Sequence, residues 1–577
     1  MFLGSRLGKF LAAGVVIAGG IATTIGLGVT GVGATGYLPL AQQTLPAAVA
    51  IAQRLSAAPA GNGLDIVVGL NPRNPARLDA TIQAMYTPGS ALYHHYLTPA
   101  QFTADFGPTV AQYNAVLSYL RSAGLRITDT SPNRMLIGAH GTIGQIEQAF
   151  HVTINNYRDP HTGLTFYAND RVPSAPASLA GLISGVVGLT NIDQRHPMFV
   201  RKDPNTRSSL PTPYSPQQME TGYGAMPLIL DGQGGNGETT SILAEGNFAK
   251  HGPSDLVQFE NYYHLPHVPV TIIGSSNDNS TNLIEPAIDT QWSTSMAPNM
   301  ASLRIYIAKD LQNVSFVKME NTWANDPAAG PVASESYGEC ETQDPTIHLE
   351  NQIFAQGASE GRTVFISAGD SDAPECTDSS GMPEAGDSAM ASSPYVTAAS
   401  GTTLVLNNNA SYGGETVWNG VCGGGAPCGT GGAPSLVFKE PFYQKGIAII
   451  DQTGMRGVGD LAADADPNSG VNVVFDGHLI GQFGGTSLSA PLLNGMFIDI
   501  DSALAVNHMS PVGFANPALY KIGESSLAAR AYHDVTVGNN YLPNTNFGYF
   551  AGPGWDFPTG WGSPNTARLA LVFINGR

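Results

Sequence analysis

The sequence predicts an α/β protein in two parts: a small α+β domain, then a larger domain built on a parallel sheet flanked by helices. Three observations carry this. From Thr239 onward, apolar runs of strand length alternate with runs of helix length, the pattern that a parallel sheet with crossover helices leaves in a sequence. From Tyr37 to Asn191 strands and helices mix without that regularity, as in a small domain with its own core. The length, 577 residues, exceeds what one core organises and leaves room for both.

Residues 1–34 carry Arg6 and Lys9, then a long apolar Gly/Ala-rich run from Phe10 that closes on Val32-Gly33-Ala34. That is the layout of an export signal, which makes the mature chain secreted and extracellular. The run over residues 10–32 is also long enough to span a bilayer, so an N-terminal membrane anchor with the protein facing outside is the alternative. The small domain is expected over residues 35–194. Leu64–Leu70 has a strand pattern; Pro75–Met85, Pro99–Phe106 and Val110–Ser122 have helical ones; Met135–Ile137 is a strand core. Ile143–Phe150 returns to helix and Val152–Tyr157 to extended chain. His140-Gly141-Thr142 matches the triplet that carries the histidine of subtilisins. It falls between a strand and an amphipathic helix with no Asp-Gly partner ahead of it, so His140 is read as a turn residue.

Residues 195–215 follow, with Arg195-His196-Pro197, the basic run Arg201 to Ser209 and the Pro211/Pro213 pair. Polar, Pro-broken and basic in an acidic protein, they are expected as an exposed, cleavable linker. In the larger domain, residues 216–577, Thr239–Ala244, Val268–Ile273, Leu303–Ile307, Thr363–Ser367 and Tyr395–Ala399 are expected strands. Pro253–Tyr262, Pro286–Met296 and Thr346–Ser359 are expected helices. Val471–Phe475 and His478–Phe483 are extended segments ahead of Leu492–Leu504, an apolar run long enough for a buried helix. Chemistry in such a sheet gathers at the carboxyl ends of the strands.

Charged residues make up only 12%, and 68 Gly with 40 Pro suit a loop-rich exported protein better than a helical cytosolic one. The formal charge of -19 argues against a nucleic-acid partner. It suits an acidic medium, where many of the 45 acidic groups are neutral and self-repulsion falls. The four cysteines are expected in two disulfides. Of the three connectivities, Cys340–Cys376 with the local Cys422–Cys428 is favoured. No CxxC spacing points to zinc.

The stretch Gly484-Gly485-Thr486-Ser487-Leu488-Ser489-Ala490-Pro491 presents Ser487 at the first turn of the apolar helix. Free N–H groups and the positive end of the dipole collect there and stabilise an oxyanion. Capping alone would use the same residues, so the partners decide. Glu285-Pro286-Ala287-Ile288-Asp289 opens a helix, with Pro286 at its first position, Glu285 near the N-cap and Asp289 one turn later on the same side. An isolated pair of this kind would simply complement the helix dipole. Thr363 to Ser371, however, is a buried-type strand that ends at Asp370, where this architecture keeps its chemistry.

In that order, the Glu-x-x-x-Asp pair, the Ser-Ala-Gly-Asp-Ser strand end and the Gly-Gly-Thr-Ser-x-x-x-Pro block resemble the sedolisin (serine-carboxyl peptidase) family, especially its kumamolisin-like members. Residues 37–191, with His95-Tyr96-Leu97-Thr98-Pro99-Ala100-Gln101-Phe102, are similar to the family's activation prodomain. The resemblance implies a subtilisin-like catalytic domain behind a ferredoxin-like prodomain. It implies that Ser487 is the nucleophile, Glu285 its general base, Asp289 the orienter of Glu285, and Asp370 the oxyanion-hole acid. It further implies that Glu245 extends the hydrogen-bond chain behind the base. Tyr337 falls where close relatives carry Trp, and its hydroxyl can also donate. Asp372 departs from the Gly common after Gly-Asp-Ser. A carboxylate base works where histidine would be fully protonated, and Asp370 donates only while protonated, so both demands place activity at acidic pH. The resemblance also implies one Ca2+ ion near the C-terminus, held by the side chains of Asp534 and Asp556 and the carbonyls of Val535, Gly552 and Gly554.

The expected protein is a monomeric, secreted, acid-acting serine-carboxyl endopeptidase made as a self-processing zymogen. It acts on protein or peptide substrates through an acyl-enzyme on Ser487. Its own prodomain is the intramolecular inhibitor until acidification weakens their contacts. A tripeptidyl-peptidase-type exopeptidase of the same family is the nearest alternative. A non-catalytic extracellular binding protein that retains the fold is the more distant one, and the presence of Glu285, Asp289, Asp370 and Ser487 together argues against it.

Overall fold

The computed structural model describes residues 36–192, 195–204, 210, 212–276, 284–377, 383–384 and 386–576. The signal or anchor expected over residues 1–34 lies outside them. Among the described residues, no helix is long and apolar enough to cross a membrane.

The main sheet of the small domain and the helices on it are β1 (Gly63–Leu70), α1 (Pro75–Met85), α2 (Pro99–Asp105), α3 (Val110–Ser122), β2 (Arg126–Thr130), β3 (Leu136–Thr142), α4 (Ile143–Phe150) and β4 (Ile183–Val187). The sheet order is β2-β3-β1-β4, antiparallel throughout, which is the expected ferredoxin-like arrangement. Thr98, Thr109 and Thr142 each form a capping box with the Gln three residues on, and so fix where α2, α3 and α4 start. Ile66, Val68 and Leu70 on β1 pack with Leu117, Leu120, Ile146 and Phe150 from the helices. His140 is not in a turn: it lies within β3, directly opposite Asp65 of β1, with its Nδ1 2.8 Å from the Asp65 carboxylate. A cross-strand His–Asp pair of this kind supports strand over turn.

The larger domain carries β5 (Thr239–Glu245), α5 (Phe248–Tyr263), β6 (Val270–Gly274), α6 (Ile284–Met296), β7 (Ser302–Ala308), α7 (Asn313–Asn325), β8 (Val332–Glu335), α8 (Ile347–Ser359), β9 (Thr363–Ser367), β10 (Thr397–Leu406), β11 (Tyr412–Val417) and β12 (Leu461–Asp464). Its sheet runs β6-β7-β5-β8-β9-β10-β11, with β12 also paired to β10; only the β10–β11 pairing is antiparallel. A hairpin, β13 (Val471–Phe475) and β14 (His478–Gly484), leads into α9 (Thr486–Val506). From Thr486 to Leu504 every residue of α9 is buried, as befits a helix apolar on nearly all sides. Both expected disulfides are present, Cys340–Cys376 and Cys422–Cys428.

Beyond the expected elements, the structure adds β2 and β4 in the small domain and α7, β8, β11 and β12 in the larger one. α7 and β8 each hide a charged residue in the buried face, Glu320 in α7 and Glu335 in β8, which breaks the apolar pattern by which a buried element is recognised. The chain leaves β5 toward β6 and β7 on one side of the sheet and reaches β8, β9 and β10 on the other. The crevice at the carboxyl ends of β5 and β8 is therefore the switch point of the topology. Glu245 ends β5, Ser336 and Tyr337 follow β8, and Asp370 follows β9 by three residues.

Candidate active site

Ser487 sits in the first turn of α9, entered through Gly485 at φ 95°. That backbone is in the region L side chains avoid, and a Cβ there would run into the Met198 carbonyl. The Ser487 hydroxyl donates to Glu285 Oε2 at 2.8 Å, and both groups are fully buried. Glu285 lies in the first turn of α6, which is already helical at Ile284. One turn on, Asp289 accepts from the Ser336 hydroxyl at 2.6 Å. Burial pushes both carboxyls far above their ordinary range, and for Glu285 the neighbouring Asp289 adds to the rise. Glu285 Oε1 and Asp289 Oδ2 are both buried without a hydrogen-bond partner.

Asp370 faces the start of α9 from the other side. Its Oδ1 accepts from the Thr486 N–H at 2.7 Å and from the Thr486 hydroxyl at 2.8 Å, while Oδ2 is buried without a hydrogen-bond partner. Burial raises its carboxyl well above the ordinary value, with the Thr486 hydrogen bonds opposing. Asp372 takes φ 67°, a conformation that costs a Gly nothing, and its buried carboxyl is pushed up to about 7, chiefly by desolvation. The Tyr337 hydroxyl is bound to the main chain of Glu245, 3.1 Å from its N and 3.0 Å from its O. The Glu245 carboxylate accepts from the Ser276 hydroxyl at 2.9 Å. The residue that reaches Asp289 is Ser336, which the sequence reading passed over; its only signal is its place just past a strand end.

The first part of the linker is paired and partly buried, with only His196 and Arg201 exposed between residues 195 and 202. Arg195 and Met198 are buried, and residues 196–202 thread the crevice as an extended strand. His196 and Pro197 pair antiparallel with Gly338 and Tyr337, and the Met198 N–H donates to the Ser336 carbonyl at 3.0 Å. Val200 and Arg201 pair antiparallel with Gly484 and Phe483 of β14. Between these two pairings the Met198 carbonyl accepts from the Ser487 N–H at 2.8 Å. A Cβ on Gly485 would meet Met198 O, Asp370 Oδ2 and the Phe199 Cα together, so the three crowd around one point. The Met198 side chain ends against Gly338, where a Cβ would collide with its methyl. Backbone pairing on both sides outcompetes solvent for this segment despite its polar composition.

Near the C-terminus, Asp534 and Asp556, the two side chains expected to hold calcium, both bond to the turn at residues 552–554. Asp534 Oδ2 accepts from the Gly554 N–H at 2.9 Å and Asp556 Oδ2 from the Gly552 N–H at 2.8 Å. The Asp534 charge is felt at Asp556, a mostly buried carboxyl. Two carboxylates bonded to the N–H groups of one Gly-rich turn are hard oxygen donors of the kind calcium takes. No cluster of three or more acidic, His or Cys side chains suited to a metal exists among the described residues, so carbonyls would have to complete the shell.

A serine bonded to a glutamate, an aspartate one turn behind, and a third buried carboxyl at the mouth of a parallel sheet define a serine peptidase of the carboxyl type. The comparisons agree. The family described as Pro-kumamolisin, activation domain, matches residues 51–192. Sedolisin of Pseudomonas sp. (strain 101) is 32% identical over 538 residues, covering 90% of this chain and 88% of its own. Kumamolisin of Bacillus sp. (strain MN-32) is 30% identical, over 89% and 92% of the two chains. Tripeptidyl-peptidase 1 of Canis lupus familiaris is 25% identical over similar shares. Among solved structures, Pseudomonas sedolisin, a serine-carboxyl proteinase complexed with pseudo-iodotyrostatin, aligns over 64% of this chain and 100% of its own, with 31% identity and a TM-score of 0.56. The chain belongs to the sedolisin family of serine-carboxyl peptidases and carries the activation prodomain of a zymogen.

Proposed function

We propose that the protein is a secreted, acid-acting endopeptidase that matures by cutting its own linker, with residues 35–194 as prodomain, 195–215 as linker and 216–577 as peptidase. Ser487 is its nucleophile, Glu285 the general base, Asp289 the orienter of Glu285, and Asp370 the oxyanion donor. Ser336 and Tyr337 support the network with Glu245. The observation that carries the reading is the seating of Met198: its carbonyl accepts from the Ser487 N–H at 2.8 Å while the Ser487 hydroxyl donates to Glu285.

In the cleavage this supports, the Ser487 oxygen bonds to the Met198 carbonyl carbon and its proton passes to Glu285. The oxyanion is held by the Ser487 N–H and by protonated Asp370. Collapse breaks the Met198–Phe199 C–N bond, and the Phe199 amine leaves with the proton from Glu285. Water then frees Met198 from the acyl-enzyme by the reverse proton path. A chain that runs on through the crevice in both directions is an endopeptidase's substrate, which favours this reading over tripeptide removal. Until that cut, the prodomain holds the cleft closed to peptides.

The test brings purified full chain and its Ser487→Ala variant to about pH 4, near carboxyl pKa values. Chain mass and digestion of an unfolded protein are followed. The wild type alone is expected to split, with a new N-terminus at Phe199, and to digest the substrate. Equal behaviour of the two chains would sink the nucleophile assignment.

Calcium, when bound, would supply a cross-link between the Asp534–Val535 turn and residues 552–556 and take no part in the chemistry. Asp534 and Asp556 would hold it by side chain, and Val535, Gly552 and Gly554 by carbonyl. Its binding energy then adds to folding stability. Chelation is expected to lower the melting temperature of Ser487→Ala protein, and added Ca2+ to restore it. An Asp534→Ala, Asp556→Ala chain should not respond; a chelator effect that persists in it would refute the site.

A further inference from the structure

Arg195 is the largest anomaly in the molecule: a fully buried guanidinium from the linker, enclosed by four glutamates. Its Nη1 lies 2.9 Å from Glu320 and 2.9 Å from Glu335, its Nη2 2.5 Å from Glu350, and its Nε 3.6 Å from Glu339. The guanidinium also stacks over the Phe316 ring, 4.6 Å from its centroid. The box is built by α7, the end of β8, the loop after it and α8, that is, entirely by residues C-terminal to the linker. Four carboxylates sharing one cation leave acceptors over: Oε2 of Glu320, Glu335 and Glu350 is buried without a hydrogen-bond partner. Nothing about a folded domain requires such a cluster. Desolvation pushes all four carboxyls up and the Arg195 charge opposes that rise at each, so an empty box would lose the one cation that faces them.

The second observation is positional. Arg195 lies three residues ahead of Met198, the residue whose carbonyl rests on the Ser487 N–H, and the segment between is held in register by the Pro197–Tyr337 and His196–Gly338 pairings. The extended backbone thus fixes the distance from the serine to the box, as it does for any peptide that pairs with the same strand. Accepting the peptidase reading above, on which this rests, we propose that Glu320, Glu335, Glu339 and Glu350 form a specificity subsite for an arginine side chain three residues upstream of the residue that gives up its carbonyl. The linker segment Arg195–Phe199 is the first occupant of that subsite. Once Met198–Phe199 is cut, Arg195 leaves with the prodomain while all four glutamates and Phe316 stay with the enzyme. The subsite then selects peptides that carry arginine in the same place. Arginine suits it better than lysine, because a planar fork can meet carboxylates on several sides and lie on an aromatic ring at once.

The experiment uses enzyme matured from the full chain and a peptide with the sequence of residues 192–202. Companion peptides carry Lys, Ala or citrulline in place of Arg195; citrulline keeps the shape and removes the charge. Cleavage between Met198 and Phe199 is followed by mass, with Ser487→Ala protein as the control. Arginine is expected to exceed citrulline and Ala at least about tenfold in kcat/KM, with Lys between, as charge-assisted bonds require. Glu350→Gln and Glu320→Gln enzymes should narrow that ratio. If the four peptides are cut within about twofold of one another, the subsite is refuted and the cluster is a latch for the prodomain only. The peptide series needs no variant of the enzyme, so misfolding cannot imitate that result. If the parent peptide is not cut between Met and Phe, or is cut equally by the Ser487→Ala protein, the peptidase reading itself fails, and the subsite with it.

Discussion

Asp370 offers its two oxygens to different tasks. Oδ1 is occupied by the N–H and hydroxyl of Thr486, and Oδ2, without a hydrogen-bond partner of its own, borders the Met198 carbonyl. A carboxylate there would repel an oxyanion; a carboxylic acid would bind it. Burial raises the Asp370 carboxyl well above its usual range, so the acid form persists at pH values where an exposed aspartate is ionised. The sign follows: the donor is present below the raised pKa and lost as pH rises through it. Asp370→Asn keeps an oxygen for Thr486 and supplies an N–H that needs no proton. Asp370→Ala is therefore expected to lose about 10²–10³-fold in kcat, the usual cost of an oxyanion donor. Asp370→Asn should lose much less and hold its activity further toward neutral pH. Rates measured from about pH 3 to pH 7, across the carboxyl range, check both points. Equal losses in the two variants would place the donor elsewhere.

At the scale of the element, the entry into α9 sets the chemistry. Gly485 turns the chain at φ 95° so that the Thr486 and Ser487 N–H groups point at Asp370 and Met198 instead of into the helix. Gly485→Ala adds strain of about 1–3 kcal/mol and a clash with the Met198 carbonyl, so linker processing should slow far more than a modest fall in melting temperature would suggest. Processing at the wild-type rate would mean that the linker does not sit on the serine when it is cut. The serine, the i, i+4 carboxyls and the strand-end aspartate were legible because each is encoded within one short element. Strand and helix patterns likewise made β1, β9, α3 and α4 readable, whereas the ferredoxin-like order was implied by the family resemblance, since β2 and β4 carry no strand pattern of their own in the sequence reading. Arg195 was not legible: its partners Glu320, Glu335, Glu339 and Glu350 are scattered over 31 positions in several elements, and local composition argued for solvent. Ser336 was missed for the same reason, since β8 is only four residues long and ends on a buried glutamate.

For the whole molecule, the same burial that tunes the site extends well beyond it. Glu220, Glu260, Glu360, Asp372 and Glu375 are each pushed up to about 7, with desolvation the leading cause in every case. In the unfolded chain these groups titrate near 4. Between about pH 4 and pH 7 the native state therefore binds more protons than the unfolded state, and stability must fall as pH rises across that window. The formal charge of -19 acts in the same direction, because self-repulsion grows as the remaining carboxyls ionise. The Ser487→Ala chain, which under the proposed mechanism would not process itself, is expected to melt several degrees higher at about pH 4.5 than at about pH 7.5, the two sides of that window. A melting temperature that is flat or rises over the same range would mean that these carboxyls are ionised in the fold, with cations or water paired to them. With Asp370 as the oxyanion donor proposed above, the scaffold would be most stable where that donor is protonated, and fold and chemistry would draw on one property, the burial of neutral carboxyl groups.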